Sequence, residues 1–251
     1  MIFALLKHPD EITEIFDAIS YAKGASLIRM VANYIGERSF RRGMQSYLER
    51  FAYGNAVTDD LWTALDEAAG GKQLVEFMHP WTRQMGFPIV MLQEDGSIKI
   101  PRFLASGLLV DDDKCPWQIP VTVKAQGSES DAVEGPFLIG GGNDPSVLSS
   151  KISAWTKDGK WFKLNVDQTG FFRVAYTSKQ REVLKGILAP DSSPLSLTDR
   201  LGLISDSFAA GMAGYTSLVD ALALVQDFGS HATSGKVEVT FASILIDNPH
   251  A

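Results

Sequence analysis

Apolar residues between positions 10 and 86 recur with the spacing of amphipathic helices. The clearest set stands at i, i+3, i+4 and i+7 and so shares one helix face: Leu27, Met30, Val31 and Tyr34. Gly36 follows this set and can end the helix. No proline lies between Pro9 and Pro80, so nothing in this stretch breaks a helix. The first third of the chain is therefore predicted to be helical.

The pattern changes between Pro80 and Pro194, where nine of the eleven prolines fall. Residues 87–177 contain short β-branched or aromatic runs separated by turn signals. These runs are Ile89–Leu92, Ser97–Ile100, Trp117–Val123, Lys160–Val166 and Gly170–Tyr176. The sequences Glu94-Asp95-Gly96 and Lys157-Asp158-Gly159 predict hairpin turns. Several short strands without intervening helices predict a small antiparallel β-sandwich.

The last part of the chain, residues 178–251, returns to helical spacing. Ser196 can begin one helix, with Leu201, Ile204 and Phe208 on its inner face. A further helix is predicted over residues 216–228. The helix, strand, helix order predicts an α+β chain of several domains.

Composition and charge restrict the function. The 251 residues are 45% hydrophobic and 21% charged, which is ordinary for a globular protein. The formal net charge of −7 argues against nucleic acid as a partner. Cys115 is the only cysteine, so no internal disulfide can form, which fits a reducing, cytoplasmic location. No run of 18 apolar residues occurs, and no membrane segment is predicted.

Most candidate sites have a plainer explanation. A zinc peptidase needs two histidines four residues apart on one helix, but no such pair exists among the four histidines His8, His79, His231 and His250. The run Gly140-Gly141-Gly142-Asn143 is followed by Asp144-Pro145, which favours a turn between strands over a phosphate loop. The three aspartates 111–113 fit a solvated hairpin tip.

One tyrosine remains as a candidate for chemistry. Tyr21 stands at the start of a predicted helix, between small residues and before Gly24. A single tyrosine in this position can also be a half-buried core residue. Its sequence neighbours do not distinguish a core tyrosine from one with a chemical role.

The segment Phe16-Asp17-Ala18-Ile19-Ser20-Tyr21-Ala22-Lys23-Gly24-Ala25 resembles a signature of the zinc aminopeptidases of the puromycin-sensitive type. Four further segments resemble later signatures of that family, in the same order. They are Tyr53–Trp62, Trp81–Pro88, Gly170–Tyr176 and Thr198–Asp206. The resemblance covers residues 8–228.

The resemblance implies a three-part architecture. Residues 1–86 are similar to the helical end of a thermolysin-like catalytic domain, and 87–177 to the β-sandwich that follows it. Residues 178–251 resemble the start of a helical, solenoid-like C-terminal domain, with 228–251 atypical. The resemblance also gives Tyr21 the role of holding the oxyanion formed when a zinc-bound water attacks the first peptide bond, and Phe16 a place in the substrate pocket.

Two motifs of the family are missing from the sequence. The G-A-M-E-N segment and the H-E-x-x-H zinc ligands precede the tyrosine in the family, and neither occurs here. Residues 1–7 and the stretch from about residue 229 also depart from the family pattern. The chain therefore looks like an internal or truncated piece of an aminopeptidase. It is expected to lack catalytic zinc and to cleave no peptide substrate alone.

An alternative is a non-catalytic interaction or dimerisation module derived from an aminopeptidase. Helices that face an absent catalytic half would leave apolar faces exposed, through which the chain could self-associate. A third hypothesis, a β-sandwich binding domain with helical flanks and no peptidase history, is opposed by the ordered motifs.

Overall fold

The computed structural model describes residues 18–107, 116–127, 132–188 and 193–230, without the side chains of 18–20 and 225–230. Within these ranges the chain is α+β, as predicted, with eight α-helices and two small sheets. The boundaries predicted for the three parts stay predictions.

Four helices form the first part, as predicted for this third of the chain. They are α1 (Ala18–Ile35), α2 (Glu37–Arg50), α3 (Thr58–Ala69) and α4 (Leu74–Arg83). Leu27, Met30 and Val31 are buried on one face of α1. Gly36 ends α1 with a φ of 83°, a conformation that glycine adopts without steric cost.

Helices α2 and α3 pack closely because one residue has no side chain. A Cβ atom on Gly43 of α2 would lie 2.8 Å from the Leu65 Cα atom of α3. The start of α3 is capped by a carboxylate, since Asp60 Oδ2 accepts a hydrogen bond of 2.8 Å from the Val57 amide.

Seven strands form the two sheets. They are β1 (Phe87–Leu92), β2 (Ile98–Lys99), β3 (Arg102–Phe103), β4 (Ile119–Ala125), β5 (Glu134–Ile139), β6 (Phe162–Leu164) and β7 (Arg173–Ala175). In the first sheet β1 pairs with β2 and β3 on antiparallel registers and with β7 on a parallel one. In the second, β4 lies antiparallel between β5 and β6. The Glu94-Asp95-Gly96 turn joins β1 to β2, as predicted.

Two expectations for this region are wrong. The sheets are not wholly antiparallel, because β7 returns from far along the chain and joins β1 in the parallel sense. The region is also not all-β, since helix α5 (Ser146–Lys157) lies between β5 and β6. Lys157-Asp158-Gly159 consequently follows a helix and makes no hairpin. The glycine run 140–142 is a turn, but it leads into α5 and does not join two strands.

Helices α6 (Ser178–Lys185), α7 (Leu197–Met212) and α8 (Leu218–Ser230) form the last described part. Ser196 begins α7 as predicted, because its hydroxyl accepts a hydrogen bond from the Asp199 amide. One cluster of buried apolar residues runs from Leu27 to Leu224 and crosses both predicted domain boundaries. Between α4 and the β region, for example, the rings of Trp81 and Trp117 lie 6.2 Å apart.

No helix among the described residues is both long and apolar enough to cross a membrane.

Candidate functional site

Tyr21 lies near the start of α1 on the surface of the described structure. Its side chain is 63% exposed, which does not fit the alternative of a half-buried core tyrosine. The residues beside it are small, and Ala22 and Ala25 are also exposed. A Cβ atom on Gly24 would meet no heavy atom within 4 Å. Among the described residues, the surface beside Tyr21 is therefore lined by small side chains.

Several predicted site residues lie outside the described residues. Phe16, the candidate for the substrate pocket, is one of them. The others are His8, the aspartates 111–113, Cys115, His231, His250 and the atypical stretch after residue 230.

Polar contacts also connect α1 to the rest of the chain. Lys23 Nζ donates to the Gln84 carbonyl at 3.4 Å and lies 6.0 Å from the centre of the Phe171 ring. Partial burial lowers the pKa of Lys23 below its ordinary value. Two turns further along, Arg29 donates to the carbonyls of Asp167 at 2.9 Å and Gln168 at 3.4 Å.

The two carbonyls that accept hydrogen bonds from Arg29 belong to an unusual turn. Asn165, Asp167 and Gln168 have φ angles of 58°, 53° and 51°, which non-glycine residues adopt only at a cost. Asn165 supports the turn by donating to the carbonyls of Gly170 and Phe172, both at 3.1 Å, and by accepting from the Gly170 amide at 2.8 Å. We call residues 165–168 the left-handed turn.

A buried ion pair joins the second sheet to α7, and the sequence analysis did not find it. Lys163 of β6 is 1% exposed, and its Nζ lies 3.5 Å from Asp199 Oδ1. The same amine donates to the carbonyls of Leu164 and Asn165. Burial lowers the pKa of Lys163, and the nearby Asp199 and Asp206 carboxylates oppose that shift.

A second ion pair joins the first sheet to the same helix. Arg173 Nη1 of β7 lies 3.1 Å from Asp206 Oδ1, and the Val174 amide donates to Asp206 Oδ2 at 3.1 Å. Burial raises the pKa of Asp206, and Arg173 offsets part of that rise. Asp199 and Asp206 are seven residues apart and so share one face of α7. This spacing beside the buried Leu203 is a sequence signal that both carboxylates face the core, but it does not indicate their partners.

His79 is the one histidine among the described residues, and its contacts are with side chains of the same helical region. Its Nε2 lies 3.1 Å from both oxygens of Asp59, which also accepts from Arg83 at 3.2 Å. Across the described ranges no three histidine, cysteine, aspartate or glutamate side chains are grouped so as to hold a metal ion. At the glycine run, Asp144 accepts from the amide and hydroxyl of Ser146, so a carboxylate occupies the start of α5.

Comparison with known families gives two matches along the chain. The model of the Peptidase family M1 domain matches residues 2–81, and that of the ERAP1-like C-terminal domain matches residues 161–241. The similarity thus extends further at both ends than the expected range of 8–228.

Individual relatives are aminopeptidases. The chain is 38% identical over 245 residues to Aminopeptidase M1-A of Oryza sativa subsp. japonica, covering 96% of this chain and 26% of that protein. It is 36% identical over 232 residues to Aminopeptidase 2, mitochondrial, of Saccharomyces cerevisiae, covering 90% and 22%. It is 40% identical over 226 residues to the Puromycin-sensitive aminopeptidase of Caenorhabditis elegans, covering 85% and 22%. The chain therefore spans about a quarter of the length of the relatives it matches.

Proposed function

Since the chain belongs to the M1 family of aminopeptidases, we propose that it is a segment of a zinc metallo-aminopeptidase that removes N-terminal residues from peptides. The observation that carries the proposal is the pair of family matches in the family's order, at residues 2–81 and 161–241. The exposed Tyr21 supports it, because a hydroxyl that touches a substrate must be accessible.

Tyr21 is proposed to act through its hydroxyl. When the first peptide carbonyl of a substrate is attacked, its oxygen becomes negative, and the Tyr21 hydroxyl donates a hydrogen bond to it. A preorganised donor at such an oxyanion contributes about 3–4 kcal/mol of transition-state stabilisation. Position on a helix suits this task, because α1 is anchored by its buried apolar face and need not reorganise during the reaction.

The residues described here do not fit a catalytic zinc ion. Such a site needs three protein ligands, whereas His79 is the one described histidine and its Nε2 is hydrogen-bonded to Asp59 beside Arg83. In a complete enzyme, zinc supplies an activated water and polarises the carbonyl. No step through zinc is derived for this chain, and we propose that the ligands come from outside it and that the chain alone is inactive.

The test is a chimera with a relative. The chain replaces the matching segment of the Caenorhabditis elegans Puromycin-sensitive aminopeptidase, to which it is 40% identical. Activity is measured with an aminoacyl-coumarin substrate. We expect Tyr21→Phe to lower kcat roughly 100- to 1000-fold with little change in KM, because the lost contact forms only in the transition state.

Tyr53→Phe is the matched control, since Tyr53 is a fully exposed tyrosine on the loop between α2 and α3. It should leave kcat unchanged. Equal kcat values for the two variants would refute the role of Tyr21.

The remaining features of the function follow from the family resemblance and the composition. Phe16 is proposed to line the pocket for the first side chain of the peptide. A cytoplasmic location without nucleic-acid or membrane partners is proposed from the single cysteine and the net charge of −7.

A second candidate function is the interaction or dimerisation module. The observation that favours it is the exposure of apolar residues on α8, where Val219 is 74% and Leu222 is 51% exposed on one face. Sedimentation of the isolated chain tests this function. A Leu222→Lys variant should abolish any dimer that uses this face, and a dimer that persists in the variant would contradict it.

A further inference from the structure

We propose that Arg29 is a positioning residue for Tyr21, because its guanidinium fastens α1 to the left-handed turn. This inference rests on the proposed function of Tyr21. Arg29 donates to the carbonyls of Asp167 and Gln168, which lie about 140 residues further along the chain. Tyr21 lies eight residues before Arg29 on α1, so the effect of Arg29 on Tyr21 passes through the helix that both residues share.

Because Arg29 and Tyr21 share one helix, a change in the tilt of α1 at Arg29 displaces Tyr21. Tyr21 and Arg29 are eight residues apart on α1, which corresponds to about 12 Å along the axis. A tilt of about 10° at Arg29 would therefore move the Tyr21 end by roughly 2 Å. Displacements of about 1 Å in a catalytic group can cost roughly 100-fold in rate. The tilt of α1 must consequently be restricted more tightly than is needed to keep the helix packed on the fold.

Apolar and polar contacts hold α1 in different ways. Leu27, Met30 and Val31 attach one side of the helix by apolar contact, which has no preferred direction. The directional contacts are polar, since Lys23 reaches Gln84 at 3.4 Å and Arg29 reaches two carbonyls. A guanidinium that binds two acceptors resists rotation in a way that one amine does not.

The conformation of the left-handed turn holds the carbonyls of Asp167 and Gln168 in place. Three of its residues keep left-handed conformations, which persist only where the surroundings enforce them. The turn also contacts Thr122 of β4, since the Val166 amide donates to the Thr122 hydroxyl at 3.0 Å, and it contacts α7 and its N-cap. The Asp167 amide donates to Asp199 at 2.7 Å, and the Ser196 hydroxyl donates to Asp167 Oδ1 at 2.6 Å. The Gln168 side chain occupies the space that a Cβ atom would need at Gly202. The turn therefore connects α7 to α1, and through α1 to Tyr21.

The first experiment uses the chimera described above. Arg29→Met is combined with either tyrosine or phenylalanine at position 21, and kcat and KM are measured for all four proteins. We expect Arg29→Met to lower kcat about tenfold with KM within twofold when Tyr21 is present, and to lower kcat less than twofold when phenylalanine replaces it. Arg41→Met is the control, since Arg41 pairs only locally with Glu37 on the exposed face of α2.

The second readout does not depend on activity. In the 251-residue chain, Arg29→Met should speed hydrogen exchange at the amides of residues 22–26 about tenfold, without lowering the melting temperature by more than about 3 °C. Should Arg29→Met not fold, Arg29→Lys serves, because lysine keeps the charge and loses one of the two carbonyl contacts. A kcat loss of about threefold is then expected, again only with Tyr21 present.

The outcomes separate the two proposals. Loss of kcat that depends on Tyr21, together with faster exchange, supports the role of Arg29. Equal loss in both tyrosine and phenylalanine backgrounds, or no loss in either, overturns that role while Tyr21 keeps its own effect. A Tyr21→Phe chimera as active as its parent overturns the proposed function itself.

Discussion

Replacement of Asp199 by asparagine should destabilise the fold strongly, although the two side chains have the same shape. Asparagine keeps an oxygen that can accept the Asp167 amide, so the change removes mainly the negative charge. That charge lies 3.5 Å from Lys163 Nζ, and both side chains are almost fully buried at 1% and 2% exposure. The variant would leave a buried ammonium group beside two carbonyls, without the carboxylate that pairs with it.

The expected loss of stability follows from the distance between the two charges and from the burial of both side chains. At an effective dielectric constant of 20, two charges at this separation attract by about 5 kcal/mol. Removing one partner of a buried pair costs roughly 3–5 kcal/mol. Lys163 can relieve part of this cost by releasing its proton, because burial already lowers its pKa. We therefore expect Asp199→Asn to lower the free energy of unfolding by about 3 kcal/mol.

Urea unfolding followed by tryptophan fluorescence measures this loss. The matched control is Asp158→Asn, which removes a charge 3.3 Å from Lys160 in a pair whose side chains are 54% and 42% exposed. Because exposed pairs contribute little, the control should change stability by less than about 0.5 kcal/mol. The double variant Lys163→Met with Asp199→Asn should recover at least about 1 kcal/mol, since no charge is left buried. Equal stabilities of the Asp199→Asn and Asp158→Asn proteins would refute the reasoning.

Two further predictions concern stability. Burial lowers the folded-state pKa of Lys163 below 10.5, so in the window between that lowered pKa and 10.5 the unfolded chain binds more protons and stability rises with pH. Relative to Lys163→Met, the parent chain should therefore gain stability in urea titrations as the pH approaches 10.5, and a constant difference would contradict this. Gly43→Ala should cost about 2 kcal/mol, because its Cβ would meet Leu65 at 2.8 Å. Gly24→Ala, where the Cβ meets nothing within 4 Å, should instead gain roughly 0.5–1 kcal/mol, and similar melting temperatures for the two alanine variants would refute the packing argument.

Local patterns were sufficient for the helices of the first part. The spacing of Leu27, Met30 and Val31 set the buried face of α1, and Gly36 ended it. Such features depend on contacts within a few residues, which the sequence displays directly. The Ser196 start of α7 was predictable for the same reason.

Contacts between distant segments were not predictable. The parallel pairing of β1 with β7 joins residues 89–91 to 173–175, and no local pattern specifies the direction of that pairing. Helix α5 was missed because its serine-rich sequence has weak helix propensity, and because Asp144 caps its start from outside the helix. Lys163 is buried because α7 covers the sheet, which the alternation of strand residues cannot indicate.

In the candidate site, too, one residue could be predicted from the sequence and another could not. Tyr21 could be selected from its segment and the family resemblance, and its exposure is consistent with a chemical role. Arg29 could not be selected, because its partners Asp167 and Gln168 come together with it only in the folded chain.

The most direct measurement of the central claim is the hydrolysis of an aminoacyl-coumarin substrate by the purified 251-residue chain, with and without added zinc. The claim is that the chain supplies the tyrosine of an aminopeptidase site and that the zinc ligands lie outside it. We therefore predict no release of coumarin above the blank in either condition, while the chimera with the relative is active. Zinc-dependent hydrolysis by the isolated chain that is lost in Tyr21→Phe would contradict the claim.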